Sequence, residues 1–368
     1  MTTRLILVGG FLGAGKTTLL WEAARRLIGQ GRAVGLVTND QAPDLVDTAF
    51  LSRSGAGVHE VSGSCFCCNF GGFMDAVQSL ARQGADTVIA EPVGSCTDLS
   101  ATILQPVKDK YREIALAPLT VLADPERVRE ALQGKESLLH ASALYILRLQ
   151  MEEADHILLN KVDTLGVDER SAMTGTLRRA FPNSEIGAIS ARTGEGLDTW
   201  LAAILGGKPA GNRIVEVDYD RYAEGEAVLG WLNTVVNLES TGGNYEWAKY
   251  ARSLLDSLHE AFKQHNAEIG HVKLAIESGG EECTANLTCL GGGIAVHGGE
   301  SFMGAQAALI LNARVQMPPE KLEKIIRAAL GASGKSGVSA TIRTLRCLMP
   351  GRPNPTHRYS RTVKTSVV

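Results

Sequence analysis

Three stretches of this 368-residue chain combine the residue types and spacing that chemistry needs. The first is Gly10-Phe11-Leu12-Gly13-Ala14-Gly15-Lys16-Thr17-Thr18, which fits G-x-x-x-x-G-K-[ST]. Glycines there let backbone N–H groups curl around phosphate oxygens, and the start of a following helix adds partial positive charge. Lys16 can reach the β- and γ-phosphates, and the Thr17 hydroxyl can ligate Mg²⁺. A nucleoside triphosphate is the expected ligand. The second stretch is Asn160-Lys161-Val162-Asp163. A carboxylate there can accept from both N1–H and the exocyclic amine of guanine. Adenine offers no such donor pair and would leave the carboxylate unsatisfied. Lys161 would lie along the base and Asn160 would hold the loops together. Ser190-Ala191-Arg192 fits a second guanine-contacting loop, where a backbone N–H meets O6. The third stretch is Cys65-Phe66-Cys67-Cys68. Three thiolates this close can turn onto one cation if the chain bends, as it can beside Gly63 and Gly71-Gly72, and thiolates suit Zn²⁺ and related metals. Three protein ligands leave a fourth position open, which suits an ion that is received and released.

The elements that must position these residues follow from hydrophobic periodicity. Residues 5–8 read as a strand entering the first loop, and Leu19, Leu20, Ala23, Ala24 and Leu27 recur at helical spacing after it. Further strands are expected at 33–37 (ending in Thr38-Asn39-Asp40), 87–90, 119–123, 156–159 and 186–189, with helices around 73–81 and 138–153. Strand and helix alternate, which predicts an α/β, doubly wound, mostly parallel sheet over residues 1–205. Ligands then sit at the carboxyl ends of the strands, where all three stretches fall. Residues 206–212 are rich in chain breakers and read as a linker. Beyond it, strands at 214–217, 229–238, 271–276, 285–290 and 307–315, with helices at 247–262 and 320–330, predict a smaller α+β domain of ferredoxin-like type over 213–330. Residues 331–368 read as a basic, proline-containing, loop-like tail. Cys283, Cys289, His271 and His297 match no standard metal spacing and are read as buried cysteines and hairpin residues, and Trp231 and Trp247 as core.

A net charge of −3 gives no electrostatic reason to expect nucleic acid or an anionic membrane as partner. No apolar run approaches the ~18 residues that cross a bilayer. With the first strand starting by residue 5, no cleavable signal is expected before it. Seven cysteines, three of them crowded together, suit a reduced thiol or metal site rather than a disulfide framework, so a cytoplasmic location is expected.

Together the glycine loop, Gly63-Ser64-Cys65-Phe66-Cys67-Cys68, Val88-Ile89-Ala90-Glu91-Pro92-Val93-Gly94, the Asn160–Asp163 stretch and Ser190-Ala191-Arg192-Thr193-Gly194 resemble the metallochaperone-type GTPases. That group includes the CobW, UreG and HypB proteins and the GTPase chaperones of cobalamin enzymes. The resemblance covers about residues 4–205. It implies a GTP-hydrolysing metallochaperone that couples GTP/GDP exchange to binding of a Zn²⁺- or Co²⁺-class ion and its delivery to a client metalloprotein. The alternatives are gating of a corrinoid cofactor into a client corrinoid protein, or a nucleotide-dependent metal store that does not hydrolyse. Glu91 would then serve the Mg²⁺ shell or the attacking water beside Lys16, and the Gly94 N–H would sense the γ-phosphate. Cys96 would join the sulfur site. Asn39, Asp40 and Asp47 occupy the place of the first switch, where relatives carry a longer acid followed by a glycine; Asp40 is one candidate for Mg²⁺. No arginine finger is evident. Intrinsic turnover should therefore be slow, with a homodimer or client contact completing the site.

Overall fold

The computed structural model describes residues 2–40, 46–133, 137–298, 302–332 and 337–364. Strand β1 (Thr3–Gly10) sits at its centre and is buried on both faces. Leu5 and Leu7 enter one hydrophobic core while Ile6 and Val8 enter another, so the strand separates two apolar layers. Around it lie β2 (Val34–Asp40), β3 (Gly57–Ser62), β4 (Thr87–Ala90), β5 (Ile114–Leu116), β6 (Thr120–Ala123), β7 (His156–Leu159) and β8 (Glu185–Ala188). Their order is β3-β2-β4-β1-β6-β7-β8, with β5 beside β1, and every ladder is parallel. Chain order reverses at β1, which opens a crevice at its carboxyl end.

Helices α1 (Lys16–Gly29), α2 (Val46–Leu51), α3 (Phe70–Arg82), α4 (Gln105–Lys110), α5 (Pro125–Leu132), α6 (Ala141–Glu153), α7 (Val167–Ala180) and α8 (Leu197–Leu205) complete this part of the chain. In α1 the apolar stripe Leu19, Leu20, Ala23, Ala24 and Leu27 is buried. Helix α6 starts at 141 rather than 138 because the His140 side chain caps it, accepting from the Ser142 N–H.

Residues 206–212 are not a free spacer. The Gly211 N–H donates to Asp155 Oδ2 at 2.6 Å, and its carbonyl accepts from Gln105 Nε2 and Lys108 Nζ. The expected strand at 214–217 pairs with no other strand among the described residues. Helix α9 (Tyr219–Ala227) instead packs on α6 and buries Tyr222 in the first core.

The second sheet comprises β9 (Gly230–Ser240), β11 (Ile269–Ser278), β12 (Glu281–Leu287), β13 (Ala295–His297), β15 (Gln306–Val315) and β16 (Val338–Leu348); β10 (Tyr245–Glu246) and β14 (Met303–Gly304) form a separate small pair. Its order is β13-β12-β11-β15-β9-β16, antiparallel throughout. With the β12–β13 hairpin set aside, β16-β9-β15-β11 is the split βαβ arrangement of ferredoxin-like folds. Helices α10 (Trp247–Gln264) and α11 (Pro319–Ala332) cover one face through stripes such as Trp247, Tyr250, Leu254, Leu258 and Phe262. The loop-like reading of residues 331–368 is corrected here, because β16 runs through them. A bulge between Ile342 and Thr344 shifts its alternation, so Ala340 and Ile342 pack inward on one side of the break and Leu345 and Cys347 on the other. Arginines placed around that break masked the strand.

Glu153 closes α6 as a fully buried carboxyl that accepts from the Ser100 N–H at 2.9 Å and the Thr97 hydroxyl at 3.2 Å. Burial pushes its pKa up from 4.5 to about 8. A raised carboxyl pKa contributes stability that is complete below the ordinary value and is lost as pH rises through the folded one. On the order of 3 kcal/mol should therefore be lost between mildly acidic and mildly alkaline buffer. Glu153→Gln should flatten that dependence, as read by urea unfolding at several pH values. A variant that keeps the wild-type slope would remove Glu153 as its source.

Candidate functional site

The phosphate end of the crevice is built from β1, the loop after it, and the end of β4. Gly15 has φ +93°, and a Cβ there would lie 2.4 Å from Asn160 Nδ2, so both conformation and contact require glycine. Lys16 Nζ donates to Gly10 O at 2.9 Å and Phe11 O at 3.3 Å, and lies 3.9 Å from Glu91 Oε1. The Thr17 hydroxyl donates to Glu91 Oε1 at 3.2 Å. Glu91 Oε2 is buried without a hydrogen-bond partner among the described residues. Burial, then the charge of Asp47, pushes the Glu91 carboxyl up to about 7. An unsatisfied carboxyl oxygen beside a threonine hydroxyl and a lysine fits a hydrated Mg²⁺ or a water. Gly94 approaches closely: a Cβ would meet Leu12 Cδ2 at 2.7 Å and Lys16 Nζ at 3.1 Å. The side chain of Asp40 lies outside the described residues.

At the base end, Asn160 ties two loops together. Its Nδ2 donates to Ala14 O at 2.8 Å and its Oδ1 accepts from the Ala191 N–H at 2.9 Å. Asp163 accepts from the Ser190 hydroxyl at 2.6 Å and pairs with the Arg192 guanidinium, while Lys161 pairs with Asp124 at 2.6 Å. A cavity of about 530 Å³ joins the two ends. Lys16, Thr17, Glu91, Asn160, Lys161 and Asp163 all line it.

Sequence reasoning did not foresee that the second domain roofs this cavity. His271, Lys273, Asn286, Asn312 and Arg314 reach it from β11, β12 and β15. Lys273 Nζ donates to both carboxylate oxygens of Asp47 at 2.7 Å and to Thr17 Oγ1 at 3.3 Å. The one available signal was the polar alternation of His271 and Lys273 along an otherwise apolar strand, which also describes a solvent-facing edge.

The cysteines lie behind the phosphate end. Cys65 Sγ is 3.1 Å from Cys67 Sγ, which is 3.8 Å from Cys68 Sγ, and the three sulfurs lie within 4.8 Å of one another. All are free thiols. Cys65 and Cys67 are buried and Cys68 is half-buried. Contacts from Cys67 and then Cys68 hold the Cys65 pKa far below the ordinary thiol range, while the reciprocal contact with Cys65 pushes Cys67 up. The cluster thus favours one thiolate solvated by neighbouring thiols. Cys96 also interacts with Cys65 and Cys67. A compact turn relates this cluster to the phosphate end, because the Cys96 N–H donates to Val93 O at 2.9 Å. Asn39, on the cavity wall, donates to Val61 O and Ser64 O and accepts from the Phe66 N–H. The tail then crosses the cysteine loop: the Asn354 N–H donates to Cys68 Sγ at 3.3 Å and the Thr356 N–H to Cys67 O at 2.8 Å. His357 meets Phe70 edge-on, and Arg358 pairs with Asp98 at 2.6 Å.

A glycine loop feeding a helix at the reversal point of a parallel sheet, with Asn160–Asp163 at the far end, defines a P-loop nucleotide-binding protein. The chain belongs to the CobW/HypB/UreG family, whose nucleotide-binding domain matches residues 4–187. It is 26% identical over 214 residues to the zinc chaperone CobW of Pseudomonas aeruginosa, covering 51% of this chain and 56% of that one. To the zinc chaperone YeiR of Escherichia coli it is 30% identical over 176 residues, covering 46% and 50%. The chain thus spans about half the length of these curated relatives. Among solved structures, HypB from Helicobacter pylori in complex with nickel is 18% identical with a TM-score of 0.42, covering 56% of this chain and 86% of that one. Zn(II)-bound YjiA GTPase from E. coli is 18% identical with a TM-score of 0.36, covering 89% and 98%. Among the described residues no helix is long and apolar enough to cross a membrane.

Proposed function

We propose that this protein binds and hydrolyses GTP, and that its nucleotide state sets how tightly Cys65, Cys67 and Cys68, with Cys96, hold a zinc- or cobalt-class ion for delivery to a client metalloprotein. Residues 1–205 would carry the nucleotide chemistry. The loop at 10–18 holds the phosphates through its backbone N–H groups and Lys16. Asp163 selects guanine. Thr17 and Glu91, with Asp40 or Asp47, would hold Mg²⁺, which when bound neutralises phosphate charge. Both curated relatives carry the name zinc chaperone, which favours zinc within the metal class.

The observation that carries this function is the turn at residues 91–96. Glu91 and Gly94 abut Thr17 and Lys16 at one end, and Cys96 joins the sulfurs at the other. A terminal phosphate that displaces this turn therefore alters the sulfur geometry, and with it the grip on the ion. Zinc affinity should be measured by competition with a chromogenic chelator, with a non-hydrolysable GTP analogue, with GDP and without nucleotide. A difference of about tenfold between the two nucleotides is expected, within the usual range of coupling between linked sites. Equal zinc affinity in all three states would end the coupling proposal.

A further inference from the structure

We propose that Lys273, carried on β11 of the second domain, is a ligand for the terminal phosphate of the bound nucleoside triphosphate, so that the second domain reads the γ-phosphate directly. This inference rests on reading the cavity as a GTP site. Along β11, Val272, Leu274 and Ile276 are buried in the core beneath α10 and α11. The alternating residues His271 and Lys273 face the other way, into the cavity. Lys273 stands in register with Asn286 on one neighbouring strand and Asn312 on the other, and this polar row spans the cavity roof.

The ammonium sits against the phosphate-binding machinery, 3.3 Å from Thr17 Oγ1. Lys16, Lys273 and Arg314 all face His271, which burial and these charges hold neutral. Convergence of cations from two domains calls for an anion between them. Burial opposes the charge on Lys273, yet Asp47 and Glu91 keep it protonated.

Arg314 is held by Leu232 O, Asn233 Oδ1 and Ala313 O, and its guanidinium stacks on Trp231, so it is anchored within its own domain. Lys273 differs, because its carboxylate partner Asp47 belongs to α2 of the first domain. Its four-carbon stem lets the ammonium exchange Asp47 for a nearby phosphate oxygen without moving the strand. A diphosphate supplies no anion beyond the reach of Lys16 and the loop N–H groups, so Lys273 would stay on Asp47. The second domain also holds α2 through Asn312 Oδ1, which accepts from the Val46 N–H at 2.9 Å. Exchange at Lys273 therefore reports the terminal phosphate to α2 and to β11 together.

Isothermal titration of the full chain with a non-hydrolysable GTP analogue and with GDP tests this. Lys273→Met, which keeps the stem and removes the charge, should weaken the analogue about 10- to 100-fold, the range for losing a charged hydrogen bond. GDP affinity should stay within about threefold, which also certifies the fold. Lys273→Arg should recover most of the preference for the analogue. Equal losses for both nucleotides, or no loss, would overturn the assignment while leaving the GTP site standing. Failure of the wild-type protein to bind GTP would overturn both.

Discussion

Asp163→Asn is expected to weaken GTP binding by about 100- to 10,000-fold and to create affinity for xanthosine triphosphate. The carboxylate lies at the base end of the cavity, where the Ser190 hydroxyl and the Arg192 guanidinium already orient it. Against the effect of burial, those two contacts hold its pKa below the usual carboxylate range, so it is ionised and accepts only. Guanine offers two adjacent donors to such a group. Two charge-assisted hydrogen bonds at about 1.5–3 kcal/mol each give the stated range. Asparagine presents one acceptor and one donor, so its amide opposes one guanine donor but matches the carbonyl that xanthine carries in place of the exocyclic amine. Titration of wild-type and variant protein with both nucleotides reads the switch. Unchanged GTP affinity in the variant would mean that Asp163 does not touch the base.

Cys67→Ser is expected to cost at least about 100-fold in zinc affinity while leaving the nucleotide affinity of the metal-free protein within about threefold. Cys67 is the middle sulfur, 3.1 Å from Cys65 and 3.8 Å from Cys68. Removing it takes away a ligand whose distances to both others are within reach of a shared ion. Substituting even an outer partner of a metal ligand costs about 10- to 100-fold, and a direct thiolate should cost more. Because thiols must lose protons to bind, zinc affinity should also fall as pH is lowered. Chelator competition measures both effects. Cys347→Ser supplies the control, since that thiol donates to Pro319 O in the second domain. A Cys67→Ser protein with wild-type zinc affinity would show that the metal binds elsewhere.

Much of the first domain was legible because its signals are local. A parallel strand buried on both faces must be apolar throughout, as 5–8 are, and a loop that wraps phosphate must contain glycines where backbone and neighbouring side chains come close, as at Gly15. The anchoring of the linker was not legible, and the expected strand at 214–217 and the loop-like tail were misread, for the opposite reason. Their structure comes from distant partners: Asp155 and Gln105 for Gly211, the first core for Tyr222, and a bulged edge pairing for β16.

The amino-acid sequence by itself determined the chemistry available here: a phosphate loop, a guanine-type carboxylate and a crowded set of thiols, each written within a few neighbouring residues. Only the tertiary structure decided how they are joined. It placed Lys273 beside Thr17 and laid Asn354 over Cys68. Those contacts bring the second domain and the tail after it onto the first, and no spacing along the chain encodes that.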